Sequence, residues 1–389
     1  MKKRMMALLA ACAMMTAVFA GCSSAPAASD EGNGAADAET VKIGGLAPLT
    51  GEVSMYGIAT NNGVKIAIDE INAAGGVLGK QVEYIPYDEK GDATEAVNAY
   101  NKLVQSDKIV ALVGDVTSTP CLAVAQQAAK DNLPMITATG TAKDITAAGT
   151  NVFRACFIDP FQGELMAAYA KKLGYTKAAI LYDTGSDYSV GLTDAFVAEA
   201  ANQGVEIVAK EGYASGDVDF KAQLTKIAAT DAEVLFLPEY YEDVVLIAPQ
   251  AREAGINAVL LGADGWDSVV ESIDPSNIGT LEGSFFCCHA SMESTDEAFV
   301  AFKAKYEELY GEKPNMFAAL GYDAAKIMCA AIEKAGSTDA AAIIEALGTT
   351  DYQGITGHVT YDAERNPIKS AAITSITDGN YKFVETFSK

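Results

Sequence analysis

Three hydroxyl side chains in a row, Thr117-Ser118-Thr119, stand between the apolar run 109–113 and Pro120. Proline suits the first turn of a helix and pushes the preceding residue out of helical dihedrals, so Thr119 is the natural N-cap of a helix beginning at Pro120. Free backbone N–H groups and hydroxyls then converge at a positive helix end, which can receive a carboxylate without any basic residue. The same residues would also make an ordinary helix cap. After a further apolar run comes Thr137-Ala138-Thr139-Gly140-Thr141, again small and hydroxyl-rich. Tyr188 follows the run that ends at Tyr182, Tyr240 follows Leu237, and Asp264 with the only tryptophan, Trp266, follows Leu261. Asp264 could balance an ammonium, and the aromatic rings could wall an apolar group. Singly, each is more often a loop carboxylate or a packed ring. Together, an anion receiver, a lone acid and several tyrosines suggest a site for an α-amino acid or something shaped like one.

Catalytic machinery is scarce. The two histidines, His289 and His358, lie in no zinc-type motif, and there is no nucleophile elbow, Walker A loop or dinucleotide fingerprint. Gly79-Lys80-Gln81 lacks the Ser or Thr of a phosphate loop. The expectation is a binding protein rather than an enzyme, with no cofactor and no metal.

The elements that must position these residues alternate along the chain. Short apolar runs at 41–46, 82–85, 109–113 and 135–137 read as strands. Helical periods at 59–73, 92–105 and from residue 120 onward separate them. Gly75-Gly76 stops the first helix, and Asp92 with Glu95 opens the second as a capping box. The alternation restarts with helices near 160–173, 190–202, 219–228 and 242–253, and with strands at 178–182, 206–208, 234–237, 259–261 and 284–287. Two β-α series imply two parallel sheets with helices on both faces. Helices near 296–309, 317–335 and 339–347 follow, then strand-like segments at 357–361, 371–377 and 381–386. These closing pieces are too few for a third domain and should complete the first two. In open α/β sheets a ligand sits outside the carboxyl ends of the strands, where the hydroxyl-rich and acidic loops fall.

Residues 1–21 place Lys2, Lys3 and Arg4 before an apolar run ending Phe19-Ala20-Gly21, and Cys22 follows. That order marks an export signal. Its ending is similar to the lipobox of bacterial lipoproteins, with Phe19 where leucine is usual, so Cys22 is the expected lipidation site. A plain secretory signal or a transmembrane anchor are the alternatives; the run is short for a span. Residues 22–40 carry no large apolar side chain and read as a flexible tether. From residue 22 onward, 25 basic side chains face 52 acidic ones, a net charge of −27. Such a surface repels nucleic acid and anionic headgroups, so neither is an expected partner. The bland reading is a solvated acidic surface. Cys121, Cys156, Cys287, Cys288 and Cys329 have no metal-ligand spacing and are odd in number, and buried free thiols are the default.

The chain resembles the leucine/isoleucine/valine-binding family of ABC-transporter substrate-binding proteins, which has the type I periplasmic-binding fold. The likeness covers about residues 41–385. It rests on Ile43-Gly44-Gly45-Leu46-Ala47-Pro48-Leu49-Thr50-Gly51 with Tyr56-Gly57, and on Ile68-Asp69-Glu70-Ile71-Asn72-Ala73-Ala74-Gly75-Gly76. Tyr87-Asp88, Tyr188-Ser189-Val190-Gly191-Leu192, Gln250-Ala251-Arg252-Glu253-Ala254-Gly255 and Gly321-Tyr322-Asp323-Ala324 continue it. The resemblance implies an α/β fold of two doubly wound parallel-sheet lobes joined by a three-segment hinge, with 41–158 and 289–364 in one lobe and 159–288 and 365–389 in the other. It implies that Thr117, Ser118, Thr119, Thr139 and Thr141 hold an α-carboxylate, that Tyr188 and Tyr240 close over it, and that Asp264 pairs with the α-ammonium. Tyr56 and Trp266 would shape the side-chain pocket. Where the family's prototypes carry a disulfide this chain has Gly91 and Val116, and where they commonly carry a glycine pair it has Pro238-Glu239. The implied role is a monomeric lipoprotein on the outer face of the cytoplasmic membrane, delivering an amino acid to an ABC permease. A ligand-sensing lipoprotein with no transport role is the alternative, and the identity of the ligand stays open.

Overall fold

The computed structural model describes residues 40–388; the signal-like segment 1–21 and all but the last residue of 22–40 lie outside the described residues. Five short strands, Val41–Ala47 (β1), Val82–Asp88 (β2), Ala111–Val113 (β3), Met135–Thr137 (β4) and Val152–Arg154 (β5), build one all-parallel sheet in the order β2-β1-β3-β4-β5. Ile43 lies opposite Tyr84 on one side and Ala111 on the other. A second sheet takes Lys177–Asp183 (β6), Glu206–Tyr213 (β7), Val234–Phe236 (β8), Val259–Gly262 (β9) and Phe285–Cys288 (β10), mutually parallel. Asp351–Gly354 (β11) and Gly357–Thr360 (β12) pair as a separate hairpin. Ala371–Thr377 (β13) and Asn380–Phe387 (β14) then join the second sheet, giving the order β14-β13-β10-β9-β8-β6-β7.

The last two strands run antiparallel to β10 and to each other, which the β-α alternation does not reveal. They are joined by Asp378-Gly379, both at positive φ (52° and 67°), the backbone of a two-residue hairpin that matches strand twist. The last two strands therefore finish the second sheet, while the closing helix Met316–Ala335 packs against the first, so the closing segments complete both. β5 is too short for a periodicity to register. β7 runs to Tyr213 rather than residue 208 because it is an edge strand whose polar residues alternate with half-buried ones.

The chain passes between the sheets three times: between Arg154 and Asp159, between Cys288 and Glu297, and between Thr360 and Ala371. After the second passage, the helix Met316–Ala335 packs along Ser54–Ala73 beside the first sheet. Two glycines permit that approach: a Cβ on Gly63 would lie 1.9 Å from the Ala318 carbonyl oxygen, and one on Gly321 would lie 2.3 Å from that of Thr60. Asp92 caps its helix as expected, accepting the N–H groups of Thr94 and Glu95, each at 2.8 Å. Adjacent Cys287 and Cys288 point to opposite faces of β10, into different apolar clusters. All five cysteines of the described residues are buried and free. Among those residues no helix is long and apolar enough to cross a membrane.

Candidate functional site

The loops after β3 and β4 meet at the carboxyl edge of the first sheet. The helix after β3 begins at Ser118, with Thr117 extended (φ −95°, ψ 153°) at the N-cap. This corrects the assignment of the cap to Thr119. Pro120 occupies the third helical position, which is tolerated because N–H groups of the first turn have no partner within the helix. Hydroxyls stitch the two loops together: Thr137 Oγ1 donates to the Asp115 carbonyl at 2.6 Å, and Thr139 Oγ1 to that of Val116 at 2.7 Å. Ser118 Oγ accepts the Ala142 N–H at 3.2 Å. From β5, the buried guanidinium of Arg154 donates to the carbonyls of Gly140 and Ala142 at 3.0 and 2.9 Å. Thr139 and Thr141 are both buried, and the Thr141 carbonyl accepts the Asp159 N–H at 3.0 Å.

From the second sheet, Tyr188 leads the helix Asp187–Gln203, and Tyr240 precedes the helix Tyr241–Glu253. Their rings stack, with centroids 4.5 Å apart and planes 16° from parallel. The Tyr188 hydroxyl donates to Asp264 Oδ1 at 2.9 Å and accepts the Gly265 N–H at 2.8 Å. Gly265 has to be small: its Cβ would stand 2.7 Å from the Tyr188 oxygen. Asp264 Oδ2 faces His289 Nε2 at 2.9 Å, and the Asp264 N–H donates to Gln162 Oε1 at 3.0 Å. Burial depresses the imidazole pKa of His289, so the ring is neutral at pH 7 and presents Nε2–H to the carboxylate. Phe157 stacks on that ring at 3.6 Å.

The two sides touch. The Ser118 N–H donates to the Tyr240 hydroxyl at 3.3 Å, and the Asp187 N–H to Thr119 Oγ1 at 3.2 Å. Tyr56, from the helix Ser54–Ala73, donates its hydroxyl proton to the Gly265 carbonyl and accepts the Tyr241 N–H at 3.0 Å. Its ring lies flat on Phe317 at 4.0 Å and edge-on to Tyr240 at 5.7 Å. Burial raises the phenol pKa values of Tyr56, Tyr188 and Tyr240 well above their usual range, keeping all three as neutral donors. A cavity of about 540 Å³ opens beside Tyr240, lined also by Thr117, Thr119, Asp183, Glu239 and Glu242; Tyr56, Tyr188 and Asp264 do not line it.

Thr117, Ser118, Thr119, Tyr56, Tyr188, Tyr240 and Asp264 thus converge, with Thr139 and Thr141 as their backing. Trp266 does not join them. Its ring is fully buried, donates Nε1–H to the Leu237 carbonyl at 2.9 Å and stacks toward Phe286. Full burial of so large a side chain contributes about 1.5–3 kcal/mol, so its role is packing under the second sheet. Glu239 also turns inward, accepting from the Asp183 N–H and from Ser189 Oγ, both at 2.8 Å. Burial holds its carboxyl well above the usual carboxylate range.

Sequence reasoning missed Asp159, Gln162, Phe157 and His289. The first three follow β5, which gave no signal. His289 stands directly after β10, and a search of every strand's carboxyl end would have found it.

The family model described as periplasmic binding protein matches residues 40–380. The Leu/Ile/Val-binding protein BraC3 of Rhizobium johnstonii is 36% identical over 313 residues, covering 79% of this chain and 83% of its own. Among solved structures, the leucine-binding protein LivK of Thermotoga maritima matches with a TM-score of 0.83 at 33% identity, over 89% of this chain and 98% of that one. The branched-chain amino acid transporter substrate-binding protein LivJ of Streptococcus pneumoniae, solved with isoleucine, also gives 0.83 at 33% identity, over 90% and 99%.

Proposed function

The chain belongs to the periplasmic binding protein family, and on that premise we propose that it is the substrate-binding protein of an ABC importer, taking a branched-chain or related amino acid between its two lobes and delivering it to the permease. One observation carries the reading. Groups from both sheets that suit the two ends of an α-amino acid meet in one place: hydroxyls and a helix start at Thr117-Ser118-Thr119, and a buried acid at Asp264. The carboxylate would take the Ser118 N–H and nearby hydroxyls, with Thr139 and Thr141 holding the loops. The ammonium would face Asp264, and Tyr188 and Tyr240 would close over both. Tyr56 would border the side chain.

Residues 41–158 with 289–364, and 159–288 with 365–389, would then move as two bodies about the three passages between the sheets. A ligand that touches both bodies stabilises the closed form only through those shared contacts, so closure reports occupancy. Outside the described residues, 1–21 would direct export and 22–40 would tether the protein to lipid at Cys22, on the outer face of the cytoplasmic membrane. The functional test is a thermal-shift screen of the twenty amino acids and small carboxylates. A ligand binding only the native state raises the melting point, and the expected responders are leucine, isoleucine and valine. A flat response to all twenty would overturn the reading. For the anchor, Cys22→Ser should release the protein from the membrane fraction; retention would refute lipidation there.

A further inference from the structure

A second cavity, of about 690 Å³, lies where the second and third passages between the sheets run beside the β11–β12 hairpin. It shares no lining residue with the cavity beside Tyr240. Half-buried Lys369, from the third passage, forms part of its wall. Lys369 Nζ donates to Thr356 Oγ1 at 2.8 Å, and that hydroxyl donates to Asp323 Oδ2 at 2.5 Å. Asp323 also accepts the N–H groups of Ile355 and Thr356. The acid is thus well supplied with donors, while the ammonium reaches it only through a neutral hydroxyl. Two of the three N–H groups of Lys369 are left for another acceptor.

His289, from the second passage, lines the same cavity with its side chain 1% exposed. Its Nε2–H is committed to Asp264, and its Nδ1 has no partner. In the neutral ring that nitrogen is a bare acceptor. Asp264 and the stacked Phe157 stand outside the cavity wall, so the ring meets the cavity by its other edge, where Nδ1 lies. The charge of Lys369 acts on this imidazole, which puts a cation and an orphaned acceptor on one space. At the rim, Ile368 is 69% and Phe383 39% exposed, and both line the cavity. We propose that this cavity is a second binding site, for a small monocarboxylate that carries a hydroxyl. The carboxylate would take the free N–H groups of Lys369, the hydroxyl would donate to His289 Nδ1, and the apolar remainder would lie against Ile368 and Phe383. Exposed Glu293 and Asp296, also in the wall, would repel anions of higher charge. The inference holds whichever ligand the cleft between the sheets takes.

The test is calorimetric titration of full-length protein with L-lactate, with propionate, which lacks the hydroxyl, and with citrate. Lactate should bind saturably and about tenfold tighter than either of the others. Hydrogen bonds to charged groups are worth a factor of about ten or more, so Lys369→Met should lose at least tenfold in lactate affinity. Tyr240→Phe, which alters the other cavity, should leave lactate binding as in wild type. Absence of saturable lactate binding overturns the inference, and so does equal affinity for propionate or citrate. Loss of lactate binding in Tyr240→Phe with retention in Lys369→Met overturns it too, because the anion then sits in the cleft. Should Lys369→Met fail to fold, nitrogen-15 spectra of wild type decide: lactate should shift the Nδ1 resonance of His289, and an unmoved resonance refutes the site.

Discussion

The hydroxyl of Tyr240 accepts the backbone N–H of Ser118 at 3.3 Å, which places a side chain of one sheet on the helix start of the other. This phenol occupies a donor that the proposed carboxylate needs. On binding it must yield that donor and can turn its own O–H to the anion. Tyr240→Phe removes that hydrogen bond while keeping the stack on Tyr188. A hydrogen bond to a charged group contributes about 1.5–3 kcal/mol, so leucine or isoleucine affinity by calorimetry should fall about tenfold to a hundredfold. Equal affinity would remove Tyr240 from the carboxylate's contacts.

Asp264→Asn keeps the shape and the Tyr188 contact but removes the charge. Removing one partner of a buried ion pair costs about 3–5 kcal/mol. Amino-acid binding should therefore weaken by two orders of magnitude or more, while circular dichroism stays that of the native fold. Retained affinity would refute the ammonium assignment.

The packing of Ser54–Ala73 on Met316–Ala335 depends on two missing side chains. Gly63→Ala drives a methyl to 1.9 Å from the Ala318 carbonyl oxygen, where rigid backbone must yield. Overpacking of this kind costs about 1–3 kcal/mol. The midpoint of urea unfolding should drop, with ligand affinity of the folded protein little changed. A midpoint equal to wild type would show that the helices separate freely.

Two acids at the ends of β2 and β3 bear on pH. Glu89 and Asp115 are both fully buried. Glu89 Oε2 takes the Gly91 N–H at 2.8 Å and Asp115 Oδ1 that of Val116 at 2.5 Å, while the other oxygen of each has no donor. Burial raises both carboxyls above their usual range, and repulsion from Asp115 adds to the rise at Glu89. A carboxyl whose folded pKa lies above its unfolded value binds more protons folded than unfolded. Its stabilisation is complete below the unfolded value of about 4 and is lost as pH climbs through the raised folded value. The melting temperature should therefore fall from pH 5 to pH 9. Glu89→Gln, which has no proton to lose, should flatten that slope. Parallel slopes for the two proteins would exclude the pair as the cause.

The chain's own patterns determined the two β-α series, the helix stops at Gly75-Gly76, the Asp92 cap and the hydroxyl-rich and acidic loops that became the site. These are local properties, set by periodicity and turn chemistry within a few residues. Tertiary structure alone decided the rest. Trp266 looked like a pocket wall because it stands two residues from Asp264, yet its ring is drawn into the second sheet's core, where burial and the Leu237 carbonyl satisfy it. The antiparallel direction of β13 and β14 follows from where the chain returns after its third passage, which no window of sequence records. Asp159 and His289, 130 positions apart in the chain, face Asp264 only because two passages between the sheets run together beneath it. Long-range placement sets their burial and missing partners, so the electrostatics of the site emerged only with the fold.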